Sequence, residues 1–509
     1  MDLDPDASYL AFVAKDARFD GKVFVGVTST GVYCRPICRV RTPKRSNCRF
    51  FNSAALAEAA RFRPCLKCRP EIAPCLANAR WSVMDASRTL AEQAAVLLDA
   101  QLAEPQSGKL GALAAHLGVS DRHLRRIFFA HWGVTPLQYL QTRRLLLAKA
   151  LLTDSMLPIT QVALASGFGS VRRFNAAFMD NYRMSPSRLR QQGSNASSQA
   201  GATLQLRLGY RAPYDVQGLG RFLARRAIPG VELVNTDANG ALCIRRSLSG
   251  HVLVSSIEQT AQAKVPAPGW LEVVFDPGRS QVHLGFSSHW VHHTAALVSL
   301  VRRWLDLDAS PDTIDSALHD LPGESGQRLP GSVDAFELAV RAVLGQQVSV
   351  AAARTLATRL VTRWGLHVES PWPDIRLSFF APDVLAAQAP SDLTAMGLTT
   401  ARARTLITLA QNWPTLETAL RATLLGQQPI DPLLALLCEM PGIGPWTAQY
   451  IAMRTLSWPD ASLPGDVVLR QAMLRLFNTT TARAVDLRAQ AWRPWRSYAA
   501  LRLWNSTAT

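Results

Sequence analysis

Four cysteines near the N-terminus have the spacing of metal ligands. Cys34 and Cys38 stand in the stretch YCRPICRV, and Cys65 and Cys68 follow in FRPCLKC after a loop of 26 residues. Paired cysteines two to four residues apart present two sulfurs to one ion, and zinc binds four thiolates tetrahedrally. The spacing predicts one Zn2+ ion on four thiolates, either in a purely structural zinc ribbon or in a cluster whose sulfur also reacts.

The surroundings of these cysteines favour a reactive sulfur. From Cys34 to Arg69 the chain has ten basic residues and one acidic residue, Glu58. A metal-bound thiolate stays deprotonated and nucleophilic, and a basic module binds along DNA phosphates. One hypothesis is therefore a sulfur nucleophile that the module carries to DNA. Cys48 and Cys75 lie outside the pattern, and we expect them to be packing or surface residues.

A second group of chemically capable residues lies near the C-terminus, in PGIGPWTAQY and the following SLPGD. Gly442 and Gly444 allow a tight turn between two helices, whose amides can contact a phosphate and whose carbonyls can bind a monovalent cation. Trp446 and Tyr450 are four residues apart and share one face of the second helix. Asp466 precedes VVLRQAMLRLF, where an aspartate is most often a helix N-cap, and capping would also hold a reactive carboxylate in place.

Charge and hydropathy indicate nucleic acid as the partner. The chain has 509 residues, a formal net charge of +17 and a pI of about 10.1. A soluble protein with this excess usually meets a polyanion. No apolar run reaches the length of a membrane span, and the acidic N-terminus differs from a signal peptide. We therefore expect double-stranded DNA as the partner, no membrane, and a cytoplasmic, nucleoid-associated location in a bacterium.

The patterns that must position these residues divide the chain into segments. The predicted segments are a zinc domain (1–80), a double helix-turn-helix (85–190), a polar linker (191–203), a small antiparallel-sheet α+β domain (204–320) and an all-α domain (321–509). The predicted fold class is multidomain and mainly α with α+β parts. Strands are expected at TLQLRLGY, ALCIRRSL, HVLVSS, WLEVVF and QVHLGF, and none from about residue 321 onward.

The double helix-turn-helix is predicted from two similar segments, each with a glycine turn and a second helix capped by Ser120 or Ser170. Apolar side chains form one face of each second helix, and the opposite face presents groups that can read base edges in the major groove. The residues expected to contact DNA are Arg122, Arg125, Arg126, Arg172, Arg173 and Asn175. A helical bundle with a solvated basic face is the alternative. PITQVALASGFGSVRRFNAAF resembles the second motif of the AraC family, which favours DNA binding.

The cysteine motifs YCRPICRVRTPKR and FRPCLKCRPE resemble the N-terminal domain of the Ada-type alkylation-response regulators, over about residues 8 to 78. The resemblance implies that Cys34 accepts a methyl group irreversibly from a methylated phosphotriester, with Cys38, Cys65 and Cys68 completing the zinc site. It also suggests transcription regulation, with RNA polymerase as a partner. Methylation would change the cluster charge from minus two to minus one, which should raise DNA affinity.

The hairpin and Asp466 resemble the helix-hairpin-helix base-excision glycosylases. The stretches RLPGSVDAFELAVRAVLGQQVSV and WRPWRSYAALRLW narrow the resemblance to 3-methyladenine DNA glycosylase II, over about residues 204 to 506. This resemblance implies that Asp466 is the catalytic aspartate. The aromatic base pocket that it implies consists of Trp446, Tyr450, Trp504 and Phe222.

The implied reaction is release of an alkylated purine from DNA. Such an enzyme flips the damaged nucleotide out of the duplex, attracts its positive charge with aromatic faces and stabilises the sugar cation with the carboxylate. Trp446 occupies the position where bifunctional relatives carry a lysine, so we expect a monofunctional hydrolase that leaves an abasic site. No cysteine follows Cys438, so an iron-sulfur cluster is not expected.

Two questions stay open at the level of sequence. Gln347 stands where the best-known form of the family has a leucine that fills the gap left by the flipped base, and it either takes that role or is an ordinary helix residue. The C-terminal half is either an enzyme or a non-catalytic DNA clamp attached to an alkylation-sensing regulator. A clamp needs only the hairpin, so the combination of Asp466 with the aromatic residues favours the enzyme.

Overall fold

The computed structural model describes residues 3–74, 86–100, 102, 110–193, 203–237, 239–253, 265–463, 465–478 and 481–506. The chain divides into two units. The first unit comprises Met1–Ala212, Asp276–Ser299 and Leu307–Ala309, and the second comprises Pro213–Phe275, Leu300–Asp306 and Ser310–Thr509. Across the part of the chain that is described, no helix combines the length and apolarity needed to cross a membrane. Cys75 and most of the predicted linker lie outside the described residues.

The N-terminal part of the first unit is a four-stranded sheet with two helices. The elements are α1 (Pro5–Val13), β1 (Phe24–Val27), β2 (Val32–Cys34), β3 (Cys48–Phe51), α2 (Ala54–Ala59) and β4 (Arg63–Pro64). The strand order is β3-β1-β2-β4, with β2 antiparallel to β1 and parallel to β4. Phe12 and Val25 pack with buried cysteines in one core cluster. The predicted metal site is therefore part of the core of this small module, where a metal adds the stability that few apolar side chains can supply.

The following helices form the predicted double helix-turn-helix. They are α3 (Ala86–Ala100), α4 (Leu110–His116), α5 (Asp121–Trp132), α6 (Pro136–Asp154), α7 (Ile159–Ala165), α8 (Val171–Tyr182) and α9 (Pro186–Gly193). The Ser120 side chain caps α5 by accepting a hydrogen bond from the His123 amide at 3.2 Å, and Ser170 caps α8 in the same way. Gly118 and Gly167 have φ angles of +68° and +81° in the turns, which explains why glycine stands there.

A buried carboxylate connects the sheet module to these helices within the first unit. Glu58 of α2 accepts hydrogen bonds from the hydroxyls of Tyr33 (3.1 Å), Thr142 of α6 (3.0 Å) and Tyr182 of α8 (3.3 Å). Burial raises the pKa of Glu58 to about 8, because its charged form loses hydration. A buried ion-pair network lies nearby in the chain, where Arg69 bonds both oxygens of Asp154 at 2.5 and 2.7 Å.

The strands that follow Ala202 confirm most of the sequence prediction. They are β5 (Thr203–Gly209), β6 (Glu232–Thr236), β7 (Leu242–Leu248), β8 (Gly269–Asp276) and β9 (Gln281–Ser287), accompanied by helices α10 (Val216–Ala224) and α11 (Thr294–Trp304). In the first unit β5 pairs antiparallel with β9, and in the second β7 pairs antiparallel with β6 and β8. The strand predicted at HVLVSS was wrong where it is described, because Gly250–Leu253 form a short 3-10 turn.

Where the structure describes the remainder of the second unit, its regular elements are helices and one pair of very short strands. Its helices are α12 (Pro311–Ala317), α13 (Ala335–Leu344), α14 (Val350–Trp364), α15 (Pro382–Ala386), α16 (Pro390–Thr394), α17 (Thr400–Gln411), α18 (Trp413–Leu424), α19 (Ile430–Cys438), α20 (Pro445–Thr455), α21 (Val467–Phe477), α22 (Ala482–Ala489) and α23 (Arg496–Ser506). The expectation of no strand after residue 321 was wrong, because β10 (Leu366–His367) pairs with β11 (Leu377–Ser378). Strands of two residues are too short to show an alternating pattern in the sequence.

Candidate functional site

The four predicted metal ligands meet in the first unit. The sulfur atoms of Cys34, Cys38, Cys65 and Cys68 all lie within 4.8 Å of one another. Four thiolates bonded to zinc at about 2.3 Å have sulfur atoms roughly 3.8 Å apart, so small side-chain adjustments give the required tetrahedron. The number, softness and grouping of these donors fit one Zn2+ ion.

The four sulfurs differ in exposure and in hydrogen bonding. Cys34 is only 3% exposed, and Cys68 is the ligand that is half-buried. The backbone amide of Arg35 donates to Cys68 Sγ at 3.3 Å. Such a bond stabilises charge on sulfur and lowers its tendency to attack an electrophile. Cys48, which was expected to be a packing or surface residue, is buried and its thiol donates to the Lys44 carbonyl at 3.4 Å.

The basic residues of this module range from fully buried to exposed. Arg35 forms an ion pair with Asp20, and each side chain is 2% exposed. Arg69 is buried against Asp154 and Glu71. The exposed set, which is free to face a polyanion, consists of Arg39, Arg41, Lys44, Arg49, Arg61 and Lys67. Counting charges in the sequence therefore overestimates the charge that this module can present to DNA.

The recognition helices α5 and α8 present the side chains that the sequence predicted. Leu124 and Phe128 of α5, like Phe174 and Phe178 of α8, are fully buried. The predicted DNA contacts are all exposed, and they are Arg122, Arg125, Arg126, Arg172, Arg173 and Asn175. Since polar side chains that are exposed on a recognition helix can reach base edges, both helices have the amphipathic arrangement that reading of DNA requires.

The hairpin between α19 and α20 is closed by glycine. Gly442 has a φ angle of +85°, and a Cβ atom added to it would lie 2.2 Å from Thr405 Oγ1. No other residue fits that turn without a clash. Gly444 is exposed and faces open space, so a phosphate can approach its backbone. The Gln346 side chain donates to the Gly442 carbonyl at 2.9 Å and ties the hairpin to the loop that follows α13.

The helix that follows the hairpin brings two aromatic rings against the candidate carboxylate. Trp446 and Tyr450 stack with ring centroids 5.2 Å apart and an interplanar angle of 6°. The indole Nε1 of Trp446 donates to Asp466 Oδ2 at 3.0 Å. The other oxygen, Oδ1, accepts from the Leu469 amide at 2.9 Å and caps α21. Asp466 therefore caps a helix, as the sequence indicated, and also lies beside the aromatic stack.

The structure adds the two remaining pocket residues to this group. Trp504 of α23 lies with its ring centroid 6.3 Å from that of Tyr450. Phe222 of α10 is joined to Tyr450 by Arg454, whose guanidinium carbon is 4.9 Å from the Phe222 ring centroid and whose Nη1 donates to the Tyr450 hydroxyl at 2.8 Å. All the predicted aromatic residues and Asp466 thus form one connected group.

Two arginines in this group were missed by the sequence reasoning. Arg226 lies with its guanidinium carbon 3.8 Å from the centroid of the Phe222 ring. Arg454, which is 5% exposed, contacts both Phe222 and Tyr450. Burial acts to raise the pKa of the Tyr450 phenol, but the positive charges of these two arginines and of Arg341 outweigh it and lower the pKa. The sequence contained one indication of these contacts, because each arginine follows its aromatic residue by four positions, Arg226 after Phe222 and Arg454 after Tyr450.

Gln347 lies at the tip of the connection between α13 and α14. Its side chain is exposed, and its φ angle of +53° is unusual for a residue other than glycine, asparagine or aspartate. Residues held in such conformations cluster at ligand-binding sites. Gln347 is therefore not an ordinary helix residue, since it stands between the two helices.

Family models match the chain in four successive stretches. The descriptions are the metal binding domain of Ada (residues 7–71), a helix-turn-helix domain (113–192), the AlkA N-terminal domain (205–334) and the HhH-GPD superfamily base excision DNA repair protein (340–497). These stretches contain the four clustered cysteines, both recognition helices, Phe222 and Asp466 respectively.

One relative matches almost the whole chain. The probable bifunctional transcriptional activator/DNA repair enzyme AlkA of Mycobacterium tuberculosis is 37% identical over 519 residues, which cover 99% of this chain and 96% of that protein. This chain belongs to that family. The family joins both groups that the sequence resembles, so both resemblances are confirmed.

Two further relatives match the two halves of the family separately. DNA-3-methyladenine glycosylase 2 of Escherichia coli is 35% identical over 298 residues, covering 58% of this chain and 95% of that protein. The bifunctional transcriptional activator/DNA repair enzyme Ada of Escherichia coli is 34% identical over 142 residues, covering 28% of this chain and 37% of that protein.

Proposed function

We propose that this chain repairs alkylated DNA by hydrolysing the N-glycosidic bond of alkylated purines, of the 3-methyladenine type, to leave an abasic site. Its N-terminal part binds DNA, accepts methyl groups and regulates transcription. Family membership and the matched models support the repair and DNA-binding functions. The hydrogen bond between Trp446 and Asp466, beside the ring of Tyr450, is the observation that carries the proposed reaction.

The aromatic group binds the base after the nucleotide has left the duplex. Flipping costs a few kcal/mol, and stacking on Trp446, Tyr450 or Trp504 offsets this cost. An alkylated purine such as 3-methyladenine in DNA carries positive charge, which aromatic faces attract by about 0.5 to 2 kcal/mol. The same charge weakens the bond to the sugar, so the base departs without a general acid.

Asp466 stabilises the sugar as the base departs. Its two oxygens are each held by one donor, Trp446 Nε1 and the Leu469 amide. The carboxylate is thereby fixed before the reaction, and its negative charge offsets the positive charge that develops on the deoxyribose. The electron pair of the broken C–N bond leaves with the cationic base, which departs neutral. Water then adds to the sugar carbon and gives up a proton to the solvent.

The proposed enzyme is monofunctional. A lyase reaction requires an amine that forms a Schiff base with the abasic sugar. The position that carries this amine in bifunctional relatives holds Trp446, and its Nε1 is engaged with Asp466. The reaction therefore ends at the abasic site.

A base-release assay tests these statements. The protein is incubated with duplex DNA that contains one 3-methyladenine, and free base and strand breaks are measured separately. We expect free base from intact strands that break only after alkali. Strand breakage before alkali would show a lyase, and absence of free base would favour the alternative in which this half only clamps DNA.

Cys34 is proposed as the methyl acceptor. Cys34 Sγ attacks the methyl carbon of a DNA methylphosphotriester, an S–C bond forms, and the C–O bond breaks with its electron pair left on the phosphate oxygen. Zinc, when bound, keeps the cysteine sulfurs deprotonated. The hydrogen bond from the Arg35 amide to Cys68 supports Cys34 over Cys68, whereas the greater exposure of Cys68 favours Cys68.

Mass spectrometry separates these two acceptors. After incubation with methylphosphotriester DNA, we expect one added methyl group on the peptide that contains Cys34. Cys438→Ser, a change at an exposed cysteine outside the cluster, should retain the label. A label on Cys68 would contradict the assignment.

The helix-turn-helix residues are proposed to read a promoter, with RNA polymerase as the partner in activation. The exposed arginines of α5 and α8 support the DNA contact. Loss of one negative charge on methylation would strengthen attraction to each phosphate by roughly 1.7 kcal/mol at about 10 Å and an effective dielectric constant of about 20. Footprinting before and after methylation, with and without RNA polymerase, tests this regulation.

The hairpin is proposed to grip the DNA backbone through a monovalent cation and the amide at Gly444. Carbonyl oxygens at a turn are suitable donors for such an ion. The Gly442 carbonyl already accepts from Gln346, so the remaining hairpin carbonyls would serve. DNA affinity measured in potassium and in tetramethylammonium salts at equal ionic strength distinguishes a bound cation from simple screening.

A further inference from the structure

Two guanidinium groups meet at one phenylalanine in the group of aromatic residues around Asp466. The guanidinium carbon of Arg226 lies 3.8 Å from the centroid of the Phe222 ring, and that of Arg454 lies 4.9 Å from it. A cation this close to the centroid of an aromatic ring is attracted by the negative charge of the ring face. One face of the Phe222 ring is therefore already in contact with a cation of the protein itself.

Neither of these arginines has a carboxylate partner among the residues that the structure describes. Arg226 Nη1 donates to the Phe222 carbonyl at 3.1 Å, and Arg454 Nη2 donates to the Gly331 carbonyl at 3.1 Å. Arg454 Nη1 bonds the Tyr450 hydroxyl. The neighbouring Arg341, by contrast, is paired with Glu337 at 2.7 Å. Unpaired charges that are withdrawn from water are expensive, and they are found preferentially where a ligand binds.

We infer that Arg226 is a specificity-determining residue, which weakens the preference of the pocket for cationic bases and favours neutral bases with a hydrogen-bond acceptor on their edge. This inference rests on the proposed function, because it concerns the base that the pocket accepts. The two ligand classes between which Arg226 would discriminate are cationic bases and neutral bases.

The direction of the effect follows from the charge and donors of the guanidinium. A cationic base that approaches Phe222 competes with Arg226 for the ring and is repelled by it. A neutral base suffers no such repulsion, and its carbonyl oxygen can accept from a guanidinium N–H. Arg454 is held by carbonyls of Pro330 and Gly331 and by Tyr450, so it remains in place when Arg226 is replaced.

Two purines with the same carbonyl group and different charge provide the test. Duplexes contain either 7-methylguanine, which is cationic, or hypoxanthine, which is neutral, at the same position opposite cytosine. The measured quantity is kcat/KM for base release from each duplex by the full chain. The variants are Arg226→Met, which removes the charge, Arg226→Lys, which keeps it, and Arg225→Met, which removes an exposed charge next in sequence.

We expect Arg226→Met to raise the ratio of kcat/KM for 7-methylguanine to that for hypoxanthine by about tenfold, the size of a moderate charge repulsion. Arg226→Lys and Arg225→Met should leave this ratio within about twofold of wild type. A ratio that is unchanged in Arg226→Met, with both rates lowered equally, would mean a structural role only and would overturn the inference.

Failure of the proposed function gives a different result. A wild-type protein that releases neither base would refute the proposed function, and the inference would fall with it. A wild-type protein that releases 7-methylguanine and no hypoxanthine would leave the proposed function intact and overturn the inference, because the arginine would then give a neutral base no advantage.

Discussion

Two buried cations of the first unit face carboxylates, whereas around Tyr450 in the second unit the buried cations face aromatic rings and carbonyl oxygens. Arg35 is paired with Asp20, and Lys149 with Glu71, with all four side chains no more than 2% exposed. Arg454 has no such partner among the residues described, and bonds Tyr450 instead. Both arrangements keep charge away from water, but only the ion pairs neutralise it.

The difference separates charges that hold the fold from charges that we propose to serve a site. A buried ion pair fixes the elements that carry it, and breaking it costs about 3 to 5 kcal/mol. The second unit also uses this device away from Tyr450, where Arg246 pairs with Glu337 at 2.6 Å and Arg496 with Asp460 at 2.6 Å. Arg226 and Arg454, by contrast, have no carboxylate partner among the residues described, although they lie in the same unit as these pairs.

The largest expected effect concerns the metal cluster of the first unit. Cys65→Ser removes one of four zinc ligands, and because structural zinc sites contribute about 10 to 16 kcal/mol in small domains, the N-terminal module should unfold. Elemental analysis should show one zinc ion per wild-type chain and none in the variant, while Cys438→Ser should retain zinc. Base release should stay near the wild-type rate. If base release were lost together with zinc, the second unit would depend on the metal cluster for its activity, and the separation between the two units would be wrong.

The next effect concerns the carboxylate of the second unit. Asp466→Asn should lower kcat for base release by about a thousandfold or more, or about 4 kcal/mol, because the neutral amide cannot offset charge on the sugar. Asparagine caps helices as well as aspartate does, but its NH2 group cannot accept from Trp446 Nε1, so stability should fall by only about 1 kcal/mol, the contribution of one hydrogen bond. Asp431→Asn, at an exposed carboxylate in the first turn of α19, is the matched control. If the Asp466 variant released base as fast as the wild type, the proposed catalytic role of Asp466 would be wrong.

Glu58 sharpens the comparison, because it is a buried carboxylate that avoids an unpaired charge by staying protonated. Its pKa of about 8 in the folded protein lies above its ordinary value of 4.5. Between these pH values the folded state therefore holds a proton that the unfolded state has lost. The contribution of Glu58 to stability is fully present below pH 4.5 and is lost as the pH rises towards 8.

Replacement of Glu58 tests this sign. The slope of stability against pH should be at most about 1.4 kcal/mol per pH unit, and Glu58→Gln should abolish it. Hydrogen exchange in α2 and α6, measured by mass spectrometry at pH 6 and pH 8 and corrected for the intrinsic rate, reports the change. Glu324→Gln, at an exposed glutamate of the second unit, should leave the slope as in wild type. Stability that rises with pH in the wild type would show that Glu58 is ionised.

The smallest effect concerns Gln347 at the tip between α13 and α14. Gln347→Gly removes the side chain but suits the φ angle of +53°, so the folded protein should be slightly stabilised. If the side chain fills the gap left by a flipped base, affinity for duplex DNA with an abasic-site analogue should fall about tenfold. Gln347→Leu should restore most of that affinity. Equal affinity of the glycine variant and wild type would exclude a wedge.

Local features of the site were predictable because they depend on residues close together in the chain. The cysteine pairs, the glycine hairpin, the stacking of Trp446 on Tyr450 and the capping role of Asp466 each depend on a spacing of a few residues. The strands β10 and β11 were missed because two residues give no period. The 3-10 turn at Gly250–Leu253 has an apolar content that is equally typical of a strand.

By itself the sequence determined which groups could react, since a thiolate, a carboxylate or an indole has its chemistry wherever it stands. It also determined the family, through motifs whose spacing is local. Only the tertiary structure decided that Arg35 and Arg69 are buried in ion pairs, and that Phe222 and Tyr450 are joined by Arg454. The physical reason is that burial and charge pairing depend on distances between elements far apart in the chain, which no local spacing encodes.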